Sequence, residues 1–338
     1  MKTDKFIFCT DSHLANNPPV NRVGDYNAEL LAKWKCVVAK CNSLKVDGLI
    51  CGGDLCHTYR TSDELYVRFV RIMNKLECPF YYLYGNHDIQ AGNSNFINNT
   101  NMGMLAQFDW FNALDVKEPY EFRNTLLTGN NYTKAQETVE FHGWDDSKVR
   151  DTPAIGSKKL TILVSHAMIT NGTIMIKGSR KSIDVADVET DADVLLNGHY
   201  HIGHRTVVER EMLGRPYYIA NPGSMARMNL AEAKETYGPR MLFIKVAPNK
   251  KVTFKFYNIP HKPYNEVFDV QAHHVKKAEA DAKTQFADML SNVRSSCVGL
   301  DLTTEDGFQE AARLASEHTG VKLGKHKMSL LEELRDGE

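Results

Sequence analysis

The chain has 338 residues, 42% of them hydrophobic and 25% charged, with a formal net charge of −1 at pH 7. That length holds one large domain and a smaller one with ample core, and the composition is that of an ordinary soluble globular protein. The near-zero charge excludes a global basic field, so any contact with nucleic acid has to come from a local patch. No run approaches the roughly 18 apolar residues of a membrane span. Met1 to Lys5 leads straight into a strand pattern without a signal peptide. Seven cysteines with no Cys-x-x-Cys pair read as reduced thiols, so the expected location is the cytoplasm.

In chain order, Phe6 to Thr10 reads as a short buried strand ending in Asp11-Ser12-His13. After a polar loop, Leu30, Leu31, Trp34, Val37, Val38, Cys41 and Leu44 recur at helical spacing, predicting a helix over 27–44. Gly48 to Cys51 is a second strand, ending in Gly52-Gly53-Asp54. Thr61 and Glu64 form a capping-box pattern ahead of a helix whose apolar face is Leu65, Phe69, Ile72, Met73 and Leu76. An aromatic run, Phe80 to Tyr84, then stops at Gly85-Asn86-His87-Asp88. Strand, helix, strand, helix, strand implies parallel strands joined by right-handed crossovers.

Residues 89–150 carry an asparagine-rich loop and short strand candidates. Leu160 to Val164 is a clean strand ending in Ser165-His166, and Asp193 to Leu196 is another ending in Asn197-Gly198-His199-Tyr200-His201. Tyr217 to Ala220, Met241 to Val246 and Val252 to Tyr257 follow without long helices between them, which suggests a second sheet packed on the first. Beyond about residue 260 the pattern becomes helix, strand, helix. The expected architecture is a four-layered α/β/β/α sandwich over 1–260, followed by a small α+β unit over 261–338.

The strand ends carry the chemistry. Taken alone, Asn-His-Asp after a strand is most often a polar turn. Five such ends in one chain are a different matter, because strand ends in an α/β sheet converge on one edge, where ligands bind. Asp11, His13, Asp54, Asn86, His87, Asp88, His166, His199 and His201 offer mixed oxygen and nitrogen donors. Those donors are too many for one tetrahedral zinc and suit two metals sharing a ligand.

The motifs Asp11-Ser12-His13, Gly53-Asp54, Gly85-Asn86-His87-Asp88, Ser165-His166 and Gly198-His199-Tyr200-His201 resemble those of the calcineurin-like metallophosphoesterase superfamily. The resemblance implies a binuclear site in which Asp11, His13 and His201 hold one metal and Asn86, His166 and His199 the other, with Asp54 bridging. His87 is then left to donate a proton to the leaving oxygen, with Asp88 orienting it. Within the superfamily, Gly53-Asp54-Leu55-Cys56-His57 resembles the SbcD-type DNA repair exonucleases, including phage-encoded versions. They place a histidine three residues after the bridging aspartate.

By that resemblance His57 positions the scissile phosphate, and the unit over 261–338 is a capping domain. The metals are expected to be Mn, with Mg, Fe or Zn as alternatives. The expected partners are DNA, a second copy of the chain and an SbcC-type coiled-coil ATPase. Arg22, Arg60, Lys177, Arg180 and Lys181, all in predicted loops, are the expected DNA contacts. A phosphodiesterase for cyclic nucleotides or other small diesters is the second reading, and a catalytically silent scaffold the third.

Overall fold

The computed structural model describes residues 2–90, 94–115, 117–131, 158–172, 175–176, 180–212, 214–230, 232 and 238–271, with isolated positions at 304, 310 and 313. The chain divides into two compact units, Met1–Asp269 and Val270–Glu338. The capping domain expected from the sequence lies almost wholly outside the described residues.

The first unit opens with β1 (Asp4–Cys9), α1 (Tyr26–Leu44), β2 (Gly48–Cys51), α2 (Asp63–Met73) and β3 (Phe80–Tyr82). It continues through α3 (Asn101–Leu105), β4 (Phe111–Ala113), β5 (Tyr120–Glu121), β6 (Thr125–Asn130) and β7 (Leu160–Ser165). Four two-residue strands follow: β8 (Ile169–Thr170), β9 (Met175–Ile176), β10 (Arg180–Lys181) and β11 (Ile183–Asp184). The unit then runs through β12 (Val194–Asn197), β13 (Val208–Met212), β14 (Arg215–Ala220), β15 (Arg240–Val246) and β16 (Val252–Asn258).

Two six-stranded sheets result, ordered β16-β15-β1-β2-β3-β4 and β13-β14-β12-β7-β6-β5. The expected parallel crossovers are present, since β1 to β4 run parallel, as do β6, β7, β12 and β14. Alternation along β1 separates two cores. Phe6 and Phe8 face the second sheet, with Ile162, Val164, Val194 and Leu196 among their cluster. Ile7 and Cys9 face the helices, where Trp34 sits edge-on to Phe69 at 5.3 Å. The outer face of the second sheet (Leu163, Leu195, Tyr217, Ile219) is covered by Ala167, Ile169, Val188 and Ala192, which come from short strands and loops.

Two local expectations shift. The N-cap of α2 is Ser62, whose hydroxyl accepts from the Leu65 amide; the Thr61 amide instead donates to Asn101. The aromatic strand ends at Tyr82, because the amide of Tyr84 turns away to the Asn131 side chain and that of Gly85 to Asp88.

Candidate metal centre

The loops after β1 and β2 are zipped together. The amides of Gly52, Asp11 and His13 donate to the carbonyls of Cys9, Gly53 and Asp54 at 3.0, 3.1 and 3.0 Å. This pairing holds Asp11, His13 and Asp54 at φ of 54°, 47° and 51°, and His199 sits at 69°. Left-handed backbone costs a non-glycine residue about 1–3 kcal/mol and persists where its surroundings over-determine it. Four of the seven described non-glycine residues with positive φ are thus predicted ligands. Glycines permit the approach of the remaining loops. A Cβ on Gly85 would lie 2.2 Å from Asp54 Oδ1, and one on Gly198 would lie 2.4 Å from the Gly52 carbonyl oxygen.

The side chains converge in groups. Asp11, His13 and His201 form one triad of ligand atoms, and Asp54, His166 and His199 another. Nε2 of His13 is 3.0 Å from Nε2 of His201, and Nε2 of His166 is 3.1 Å from Asn86 Oδ1. Asp54 lies between the triads, its Oδ2 being 3.3 Å from His166 Nε2 and 3.7 Å from His13 Nε2. That oxygen is buried with no donor in hydrogen-bonding geometry. A buried carboxylate oxygen in this state is costly unless a cation meets it, which the protonated His166 does in the metal-free protein and a divalent metal would do once that proton is released. The donor set, two carboxylates, one amide and four imidazoles, therefore fits a pair of divalent cations on both chemistry and placement.

A sequence model of the calcineurin-like phosphoesterases matches residues 4–203. The chain belongs to that family. It is 24% identical over 205 residues to the 3′,5′-cyclic adenosine monophosphate phosphodiesterase CpdA of Haemophilus influenzae, a match spanning 58% of this chain and 69% of the relative. Among solved structures it is similar to TT1561 of Thermus thermophilus, with a TM-score of 0.45, 14% identity, and 77% of this chain and all of that one covered. A 5′-nucleotidase precursor from the same organism gives a TM-score of 0.44 and 12% identity, covering 84% of this chain and 59% of the other.

Calcineurin-like phosphoesterases bind two divalent metals, and the Asp/His clusters are of the kind that can hold them. In this family member the rings are oriented by groups outside the clusters. Nδ1 of His166 donates to the Gly52 carbonyl at 2.7 Å, which turns Nε2 toward Asp54. Nδ1 of His201 lies 3.2 Å from Glu232 Oε1, which turns its Nε2 toward Asp11 and His13. Sequence reading missed Glu232, since it follows no strand and belongs to no motif. A carboxylate or carbonyl on the far nitrogen fixes tautomer and ring angle in metal sites generally.

His57 joins the centre. Its Nδ1 is 3.5 Å from Nδ1 of His13, and its ring stacks on His87 with centroids 4.9 Å apart. The His57 carbonyl accepts from Nδ1 of His87 at 2.6 Å. Asp88 has a different place from the one expected. It is wholly buried and accepts from the amides of Asp54 (2.8 Å), Gly85 (2.9 Å) and Cys56 (3.3 Å) and from the Tyr82 hydroxyl. Asp88 thus clamps the Asp54 loop to the Asn86 loop; what orients His87 is the backbone of His57.

The expected DNA contacts fare unevenly. Arg22 does not face solvent: it is buried, paired with Glu29 at 2.7 Å and held between the rings of Tyr26 and Phe268. Its partner lies seven residues on, in α1, so a loop position in the sequence did not imply an exposed charge. Arg60 is exposed, with Nε donating to the Asn99 carbonyl. Arg180 and Lys181 form the backbone of β10, and Lys177 lies outside the described residues.

Electrostatics make metal uptake a proton-releasing event. Burial disfavours charge on His166, but Asp54 and Asp11 outweigh it and pull the ring up to about 9. Burial likewise opposes charge on His201, which Glu232 and Asp11 raise to about 9. Raised histidine values contribute stability that is fully present below about 6.5 and is lost as pH rises through about 9. The metal-free protein should therefore lose thermal stability across that window. Metal affinity should rise over the same window, because ligation needs neutral imidazole. Calorimetry at pH 7 in buffers of differing ionisation enthalpy should detect roughly two protons released. Buffer-independent heats would contradict these assignments.

Proposed function

We propose that this calcineurin-like phosphoesterase is a two-metal nuclease cleaving DNA, most active with Mn, of the kind that processes broken ends. Asp11, His13 and His201 are assigned to one metal, Asn86, His166 and His199 to the other, and Asp54 to both. When bound, the two cations supply Lewis acidity toward a phosphodiester oxygen and a nucleophile at neutral pH. The chain's own residues do the rest. Asn86 adds a donor without adding negative charge that would repel a phosphodiester. His87, anchored through Nδ1, presents Nε2 to the leaving oxygen.

The observation that carries the nuclease reading is His57. It is a third imidazole beside His13 and His87, additional to the seven ligands, and half-buried rather than solvated. A nitrogen there can hold a phosphate oxygen on the outer side of the site. The second reading, hydrolysis of cyclic nucleotides or other small diesters, is favoured by the likeness to CpdA. A silent scaffold would have no use for His57 and His87 beside a full ligand set.

Purified protein with Mn should be assayed on linear duplex DNA, single-stranded DNA, a cyclic nucleotide and a chromogenic diester. Preference for the cyclic nucleotide would overturn the nuclease reading. In His57→Ala, DNA cleavage should fall by about tenfold to a hundredfold, the worth of about 1.4–2.8 kcal/mol, and more than diester cleavage. Equal losses on both substrates would remove His57 as a DNA-positioning residue. Two-fold self-association and docking of a coiled-coil ATPase through the C-terminal region are proposed with this reading. Light scattering across a concentration series checks the first.

A further inference from the structure

A groove of about 480 Å³ runs between α1 and α2, lined by Ala28, Leu31, Lys35, Arg68, Arg71, Ile72 and Lys75. Four of those seven side chains are cations and none is an acid. The net charge of −1 gives no hint of it, because the charge is local. Arg68 and Arg71 stand three residues apart on α2, a spacing at which like charges repel by a few tenths of a kcal/mol, and Lys75 follows in the turn just past the helix. The relief available among the described residues is slight. Glu64 approaches Arg68 at 3.8 Å, but it is 84% exposed. Among the described residues, Lys35, Arg71 and Lys75 have no ion pair. The floor is apolar, formed by Leu31 and Ile72.

The two helices that line the groove start beside the metal centre. Tyr26, the first residue of α1, donates its hydroxyl to the His13 carbonyl, and Asn27 donates to the Ala15 carbonyl. At the start of α2, the Ser62 amide donates to the Asn16 side chain. Both helices thus begin on the loop that carries Asp11 and His13. Arg68 lies six residues beyond Ser62 and Lys35 nine beyond Tyr26, roughly 9 and 14 Å along their helices. That span is long enough for more than one phosphate of a nucleic-acid strand. A cyclic mononucleotide held in the centre has no second phosphate to place there, whereas a nucleic-acid strand has one at each step.

We infer, resting on the nuclease reading above, that the α1/α2 groove binds the sugar–phosphate backbone of the nucleic-acid strand whose scissile phosphate sits at the metal centre. The chain then has the local patch that its overall charge does not reveal, on two helix faces and the turn that follows α2.

The test is binding without cleavage. Full-length protein in EDTA is titrated into a fluorescent single-stranded oligonucleotide at several salt concentrations. The variants are Lys35→Glu with Arg71→Glu and Lys75→Glu, and Lys251→Glu as a control on the hairpin between β15 and β16. The groove variant should bind about tenfold or more weakly, with the slope of log affinity against log salt smaller by about 0.7 per lost phosphate contact. Circular dichroism checks that it is folded; should it not be, Lys35→Gln with Arg71→Gln repeats the measurement. Wild-type affinity and slope in a folded groove variant would overturn the inference. An equal effect of Lys251→Glu would do the same, since only net charge would then matter. Stronger competition by polyglutamate than by unlabelled oligonucleotide would overturn the choice of ligand. A wild type that binds through the groove yet cleaves no DNA would overturn the nuclease reading and leave the groove standing. Cleavage by wild type with unchanged binding in the groove variant would do the reverse.

Discussion

Asp54→Ala should leave the protein folded and nearly free of metal, with phosphodiesterase turnover at background. One carboxylate stands between both triads: Oδ2 is 3.3 Å from His166 and 3.7 Å from His13, and Oδ1 accepts from the His87 amide at 2.9 Å. Burial opposes the Asp54 charge, but the His166 and His13 imidazoles overcome it and hold the carboxyl well below its usual range. Its removal leaves those imidazoles facing one another without a counter-charge, and any two cations without the anion that screens them. Elemental analysis of wild type should give about two equivalents, the stoichiometry of a two-metal site. The variant should give well under one. Near-wild-type metal in Asp54→Ala would mean that the two positions are held independently and that Asp54 does not bridge. The backbone around residue 54 does not depend on its side chain. The amide is held by Asp88 and the carbonyl by His13, so a folding defect is not the expected outcome.

The same network explains what the sequence made legible. Asp11, Asp54, Asn86, His166 and His199 each follow an apolar run, and a parallel sheet brings such ends to one edge whatever the intervening chain does. Histidines at i and i+2, as in His199-Tyr200-His201, are readable for the same reason. Other parts depend on tertiary partners that no local pattern announces. Glu232 reaches His201 from a stretch with no strand before it. Asp88 adjoins His87 in sequence, yet it points inward to three amides and a hydroxyl. Arg22 is neutralised by a helix residue. Lys35, Arg68, Arg71 and Lys75 each read as an ordinary solvated helix position, and only the packing of α1 against α2 sets them around one groove. That packing also bears on self-association. A two-fold contact through this face would set four cations against four, so a dimer should form through another surface.

His87→Gln should behave in the opposite way to Asp54→Ala, keeping its metals and losing its rate. Nδ1 of His87 donates to the His57 carbonyl, an anchor that suits a ring whose other nitrogen carries a proton to a leaving oxygen. Glutamine can keep the volume and one hydrogen bond but cannot shuttle a proton. Turnover should fall by about 10²–10⁴, the worth of a positioned general acid, with metal content near wild type. The structure also defines the competing role, because His13, His57 and His87 form a triad of nitrogens close enough to hold an ion. Loss of metal from His87→Gln would assign His87 to that triad as a ligand. The leaving group separates the remaining alternatives. A nitrophenolate leaves without a proton, whereas the alkoxide of a sugar needs one, so the rate loss should be large on DNA and much smaller on a chromogenic nitrophenyl diester. Equal losses on both would mean that His87 acts on the phosphoryl oxygens throughout the reaction, as an electrostatic group rather than an acid.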